Sequence, residues 1–280
     1  MSLYLTKSNK LENKSNFVEL SSSSRIWAIG SIHSNFKSFN LFKKLIIDNF
    51  KENDKLVFLG NIIGLGGNSR KTLNSVLDLR FALMAKFKLK PKEIIFLRGA
   101  QEEMFNKLLQ LQIAPNPVEI VNWMFDHGVD KTLNSYGFSN EEVLTIASSG
   151  TLSISKWTQK LNQILLTNHG HKEYFVNLKH AAYSTSKKIL FVNRGVDVSR
   201  PLSAQNDCFW WGYHNFSKID APYNSFIRIV RGYQSLHTNE LEQSKNRVVC
   251  TLFKQPLTNH TIYAGIFREN GEILELFESN

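Results

Sequence analysis

Three short loops hold most of the side chains in this 280-residue chain that could do chemistry. They are Gly30-Ser31-Ile32-His33-Ser34, Gly60-Asn61-Ile62-Ile63-Gly64-Leu65-Gly66 and Arg98-Gly99-Ala100-Gln101-Glu102. His33 has the one side chain among them suited to general-base work near neutral pH. Ser31, two residues before it, forms only a faint nucleophile–base pair with it, because no strand-turn-helix elbow motif surrounds the serine. A lone histidine with an amide or backbone partner reads more simply as structural. Asn168-His169-Gly170-His171 has the outline of a two-histidine metal clip. That spacing needs strand or loop geometry, and no carboxylate or cysteine stands beside it. Both histidines are therefore read as exposed or capping residues. Phe209-Trp210-Trp211 reads as core packing, with any exposed member available for a protein interface.

The segments before these loops explain how they would be positioned. Arg25–Ile29, Lys55–Leu59 and Glu93–Leu97 are apolar runs, each halted by a glycine loop, and helix-periodic stretches follow them through Phe39, Phe42, Leu45 and Ile46, from about 71 to 86, and from about 102. Strands alternating with helices predict a mostly parallel α/β sheet. In such sheets ligands collect beyond the carboxyl ends of the strands, where the three loops lie. A helical insert is expected from about 102 to 188, with helices over 118–127, 140–147 and 154–166. Beyond it strands are expected over 189–193, 226–230, 247–252, 261–267 and 273–277, with one helix over 203–213. Residues 1–24, ending in four serines, read as a polar tail with at most a short edge segment. Residues 25–280 read as a single domain.

Composition narrows the class. A hydrophobic fraction of 42% with 12% aromatics supports a buried core. No run of 18 apolar residues is present, so no membrane-spanning helix is expected. The start, Met1-Ser2-Leu3-Tyr4, turns polar without a secretory pattern. Cys208 and Cys250 are too few for a disulfide framework, so a cytoplasmic protein with reduced thiols is expected. The net charge of +10 invites an anionic partner. Because the lysines are spread over most segments, a dedicated nucleic-acid surface is not the favoured reading.

Taken in order, the three loops resemble the Gly-Asp-x-His-Gly, Gly-Asp-x-x-Asp-Arg-Gly and Arg-Gly-Asn-His-Glu loops of calcineurin-like metallophosphoesterases. The resemblance continues downstream. Trp123 to Gly137 is similar to the insert of bacterial serine/threonine and diadenosine-tetraphosphate phosphatases. Phe191-Val192-Asn193-Arg194-Gly195-Val196 resembles Phe-Val-His-Ala-Gly-Ile, Pro201–Gln205 resembles Pro-Leu-x-x-Gln, and Val230-Arg231-Gly232-Tyr233 resembles Val-His-Gly-His. The match spans about residues 25–278. It implies an α/β fold of two packed β-sheets flanked by helices, an α-β-β-α sandwich, with the site at the sheet rim.

It also implies what has changed. In that family Asp, His and Asn side chains hold two divalent cations that bind the phosphate and activate water. Here the corresponding positions carry Ser31, His33, Asn61, Ala100, Gln101, Asn193, Arg231 and Tyr233, while Gly64 and Leu65 replace the second loop's Asp and Arg. His33 alone survives, and no carboxylate remains. The expectation is therefore a protein with no metal site, no cofactor and no catalytic residue. In place of metals, an anion pocket is expected from Arg98, Arg194, Arg231, Asn61 and His33, because a guanidinium fork suits phosphate or carboxylate. The competing expectation is that these arginines pair with Glu102, Glu103, Asp197 or Asp207. Three functions follow: a non-catalytic protein that binds a phosphate- or nucleotide-like anion or a protein partner, a divergent phosphoester hydrolase using one metal or none, and a basic nucleic-acid module.

Overall fold

In the computed structural model, residues 16–212, 216–233, 248–253 and 261–279 are described. Residues 1–15 of the expected tail lie outside them, as do Tyr213 and Arg247 at the ends of expected elements.

The strands are short and buried on both faces, which is why the sequence shows continuous apolar runs rather than polar alternation. Within β2 (Ile26–Ile29), Ile26 and Ala28 point to one side and Trp27 and Ile29 to the other. The same split divides Val57 from Leu56 and Phe58 in β3 (Lys55–Phe58), and Ile95 from Ile94 and Phe96 in β4 (Ile94–Phe96). The inner set meets Ile189 and Phe191 of β6 (Ile189–Val192) from a second sheet, forming the layer between the sheets. The outer set packs beneath helices α1 (Phe36–Asn49), α2 (Ser69–Phe87) and α3 (Ala100–Leu108).

One five-stranded sheet runs in the order β10 (Ile273–Glu278), β9 (Tyr263–Phe267), β2, β3, β4. The other runs β1 (Phe17–Leu20), β5 (Ala181–Ser184), β6, β7 (Arg228–Arg231), β8 (Val249–Thr251). Pairs β2–β3, β3–β4, β6–β7 and β7–β8 are parallel, while β9 pairs antiparallel with β2 and β10. Both sheets are thus mixed, and the fold is the expected α-β-β-α sandwich. In the chain, five further helices come between α3 and β5: α4 (Pro117–Asp126), α5 (Val129–Ser135), α6 (Asn140–Ser148), α7 (Thr151–Thr167) and α8 (His171–Val176). They pack Val121, Leu133, Phe138, Trp157 and Leu161 into the same apolar cluster as the outer face of the first sheet. The second sheet is capped by Phe209 and Trp210 of α9 (Cys208–Trp211) together with Phe216 and Tyr223. No helix among the described residues is long and apolar enough to cross a membrane.

Residues 17–20 form the edge strand β1, the short edge segment allowed for in the polar stretch, with Leu20 fully buried and Glu19 turned outward. Other sequence expectations need correction. The expected insert ends early, because Ala181–Ser184 pairs as β5 with both β1 and β6. The helix expected over 203–213 is broken into a turn at 202–204 and the single-turn α9.

His171 is not exposed. It is fully buried, with Nδ1 2.7 Å from the Tyr136 hydroxyl and Nε2 2.7 Å from Asn74 Oδ1. The amide oxygen can only accept, so Nε2 carries the proton and Nδ1 accepts from Tyr136. Burial, reinforced by the Arg70 charge, pushes its pKa down to about 4, so the ring is neutral. It therefore ties α8 to α2 and α5 and is no metal ligand. His169 stays exposed, at 5.4 Å from the Phe81 ring.

Candidate functional site

The loops beyond β2, β3, β4, β6 and β7 meet at one rim, joined by main-chain bonds. Ser31 N–H donates to Gly232 O at 2.9 Å, His33 N–H to Asn61 O at 2.8 Å, and Gly232 N–H to Asn193 O at 2.9 Å. The second loop turns sharply because Gly60 (φ 86°) and Asn61 (φ 52°) both sit in the left-handed region. Asparagine tolerates that region better than most side chains. At Gly60 there is no room for anything else: a Cβ would lie 2.7 Å from Gly99 N and 2.9 Å from Asn193 Nδ2.

Glu102 holds the second and third loops together. It is fully buried in the first turn of α3 and accepts from the N–H groups of Asn61 (2.8 Å), Ile62 (2.8 Å) and Gly99 (3.0 Å). The Tyr174 hydroxyl donates to it at 3.0 Å, and Ile63 N–H reaches it at 3.4 Å. Burial pushes its carboxyl up, while the backbone donors and Tyr174 pull the other way. Burial is the larger influence and leaves the pKa raised, but the main-chain N–H groups can only donate, and Oε2 accepts from two of them. The cradle suits the ionised form. In the sequence Glu102 stands out only as a partner for arginine; its place in Arg98-Gly99-Ala100-Gln101-Glu102, matching the last residue of Arg-Gly-Asn-His-Glu, is the available signal. Nothing in the sequence singled out Tyr174.

Ser31, Asn61, Gln101 and Asn193, at positions where the resemblance puts metal ligands, are uncharged and largely hydrogen-bonded to their surroundings. Asn61 is fully buried; its Oδ1 accepts from Gln101 N–H at 3.1 Å and its Nδ2 donates to Ser31 Oγ at 3.3 Å. Asn193 Nδ2 donates to Leu59 O at 2.6 Å, and Gln101 Nε2 donates to His127 O at 2.8 Å. These carbonyl partners fix both amide orientations, leaving Asn193 Oδ1 and Gln101 Oε1 as buried acceptors without a hydrogen-bond partner. Ala100 begins α3 with only a methyl group. His33 is buried edge-on to Tyr233, with ring centres 5.1 Å apart, and to Phe253 at 6.3 Å.

The guanidiniums do not share one partner. Arg98 donates to Glu103 Oε2 at 2.9 Å and lies over the Trp210 ring at 5.5 Å, as the competing ion-pair expectation has it. Arg231, 6% exposed, lies over the Phe216 ring at 4.4 Å and donates through Nε to Thr251 Oγ1 at 2.8 Å. Arg194 is half-buried over the Tyr233 ring at 5.6 Å, and no carboxylate among the described residues pairs with it. Burial lowers its pKa, and it stays charged. Burial also raises the Tyr233 phenol, against the pull of Arg194. Of the acidic residues expected as partners, Asp197 pairs with Arg200 at 3.1 Å.

Whether such a rim suits paired divalent cations is a question of donor chemistry. Amide oxygens and one imidazole do not offset about four positive charges once hydration is lost, and uncompensated ions cost several kcal/mol each. A fixed guanidinium at Arg231 adds repulsion of about 4 kcal/mol per unit charge product at ~4 Å and an effective dielectric of ~20. The donor set therefore does not fit the family's metal pair. Among the described residues, no group of three or more His, Cys, Asp or Glu is placed to hold a metal ion. Three of the eight histidines, His214, His237 and His260, lie outside the described residues.

No protein-family model matches the chain, and no curated protein matches it. Solved structures do. A candidate diadenosine tetraphosphatase aligns at 16% identity over 95% of this chain and 98% of that one, with a TM-score of 0.51. A protein serine/threonine phosphatase from Saccharomyces cerevisiae aligns at 15% identity over 98% and 86%, with a TM-score of 0.47. A metallophosphoesterase from Sphaerobacter thermophilus aligns at 14% identity over 92% and 89%, with a TM-score of 0.44. The first of these alignments establishes the fold class: two mixed β-sheets flanked by helices in the metallophosphoesterase-like arrangement. At such identities the likeness speaks for the fold and not for an activity.

Proposed function

We propose that this chain is a phosphoesterase fold that has given up two-metal hydrolysis and serves as a binding protein for an anionic ligand at the rim. The observation that carries this reading is the replacement of charged ligands by a hydrogen-bonded amide set around Asn61, with Arg231 buried at the place of a metal-binding histidine. One N–H of each side-chain amide of Asn193 and Gln101 is held by a main-chain carbonyl. The charged donors available to an anion are guanidinium N–H groups. Arg98 pairs with Glu103 and Arg231 is buried over Phe216, which narrows the anion site from the three arginines expected to Arg194. A half-buried guanidinium with no carboxylate partner among the described residues gains from an anion that supplies the missing charge-assisted hydrogen bonds.

Thermal unfolding in phosphate tests this. With ~10 mM phosphate replacing chloride at equal ionic strength, Tm is expected to rise by about 2–4 °C, as for a ligand of roughly millimolar Kd. Arg194→Gln is expected to abolish the rise without changing Tm in chloride by more than about 1–2 °C. An unchanged Tm in phosphate overturns the anion reading.

A further inference from the structure

Next to Arg194 lies an aromatic cluster that the anion reading does not use. Trp123 of α4 is 45% exposed, although it is one of the largest apolar side chains available for burial. One part of its indole stacks on the exposed His127 ring, with centres 4.3 Å apart and planes at 33°. Its edge meets the half-buried Trp211 ring at 6.0 Å. The arrangement is fixed from below: His127 Nδ1 lies 2.7 Å from Trp123 O, and His127 O accepts from Gln101 Nε2 at 2.8 Å. The shelf is thus bonded directly to a residue of the rim.

Arg194 borders the same shelf. Trp211 is followed by Gly212 at φ 84°, and a Cβ there would lie 2.8 Å from Arg194 Nε and 2.9 Å from its Cδ. Glycine at this position lets the arginine side chain lie flat along the backbone beside Trp211. A cation without a carboxylate partner among the described residues therefore lies against the backbone next to Trp211, whose ring in turn meets the exposed Trp123 indole. A tryptophan face attracts planar rings of any sequence or substituent pattern, and the cation selects those that carry negative charge.

We propose that Trp123, His127 and Trp211 form a stacking shelf for a planar aromatic ring whose anionic group is held by Arg194. The ligand class is an aryl or nucleoside monophosphate. This rests on the anion reading above and deepens it, by adding the part of the ligand that phosphate alone lacks.

Quenching of intrinsic tryptophan fluorescence, with calorimetry alongside it, separates the two. The full chain is titrated with adenosine 5′-monophosphate, adenosine, ribose 5-phosphate and inorganic phosphate. The nucleotide is expected to bind roughly tenfold or more tightly than either ribose 5-phosphate or phosphate, and to quench. Trp123→Ala is expected to remove that margin while leaving phosphate binding intact, and Trp123→Phe, which keeps a ring, to restore most of it. Arg194→Gln is expected to reduce nucleotide binding to the level of adenosine. Equal affinity for the nucleotide, ribose 5-phosphate and phosphate, unchanged in Trp123→Ala, overturns the shelf and leaves the anion site standing. Binding of nucleotide and adenosine alike, indifferent to Arg194→Gln, overturns both the anion site and the joint site proposed here. No binding of any of the four at millimolar concentration overturns both as well.

Discussion

Glu102→Gln is expected to destabilise the fold by about 3–5 kcal/mol, the largest effect of any single polar substitution at the rim. The carboxylate accepts N–H groups from Asn61, Ile62 and Gly99 and the hydroxyl of Tyr174, all within 3.0 Å. A glutamine offers one acceptor oxygen and one NH2 group in the same space. On whichever side the NH2 falls, it confronts donors, because Glu102 Oε1 serves Ile62 and Tyr174 while Oε2 serves Asn61 and Gly99. Donors left unpaired in a fully buried site cost about 1–3 kcal/mol each, partly recovered by relaxation. Urea unfolding reads the change as a lowered midpoint with an unchanged slope. A loss below about 1 kcal/mol contradicts the view that an ionised Glu102 holds the second and third loops in place. Tyr174→Phe, which removes one donor and leaves the carboxylate its backbone partners, is expected to cost less.

The second large effect comes from putting back the carboxylate that the family resemblance implies. Asn61→Asp is expected to destabilise the chain by about 2–4 kcal/mol at neutral pH. Asn61 has no exposure, and its own N–H already donates to Glu102. A second carboxylate there stands one peptide away from an existing buried charge, and two like charges about 6 Å apart repel by roughly 3 kcal/mol at an effective dielectric near 20. It also loses the donor that reaches Ser31 Oγ at 3.3 Å. Burial and the neighbouring charge raise the pKa of the introduced group above its unfolded value. The folded state then binds the extra proton more tightly, so the deficit shrinks as pH falls toward 5 and grows as pH rises. Denaturant midpoints at several pH values read this directly. An Asn61→Asp variant as stable as the parent at pH 8, or one that gains stability from millimolar Mn2+, runs against the account.

The two kinds of information in the sequence had different reach. Strand ends were legible because apolar runs such as Lys55–Leu59 stop at a glycine whose backbone conformation leaves no room for a side chain, as at Gly60. The alternating runs alone predict one mostly parallel sheet; the two-sheet sandwich came only with the family resemblance, and the structure divides the strands between two mixed sheets. One strand was hidden. Three of the four residues of Ala181–Ser184 are small with little strand preference, and its pairing is decided by β1 and β6 on either side. Phe17–Leu20 is legible only as a short edge segment, because Phe17, Val18 and Leu20 alone mark it in a polar stretch.

At the rim, residue types were legible and directions were not. Arg98 stood in the right loop, yet Glu103, five positions on, turns its guanidinium into an ion pair over Trp210. The sequence suggests an exposed or capping role for His171, because a histidine two residues from another carries no sign of burial. Only Tyr136 and Asn74, far apart in sequence, supply the donor and acceptor that make a buried neutral ring tolerable. The aromatic shelf was invisible for the same reason, since Trp123 and Trp211 belong to different helices that meet only in the folded chain.

The donor set around Asn61 does not suit paired divalent cations, and the metal content of the protein is the decisive readout. Chain purified and dialysed with Mn2+ is analysed for bound metal and assayed with a generic aryl phosphate. Less than about a tenth of an equivalent is expected to be retained, with no saturable heat on titration with Mn2+ and no turnover above background. About two metal ions retained per chain, with Mn2+-dependent turnover that His33→Ala abolishes, would contradict it.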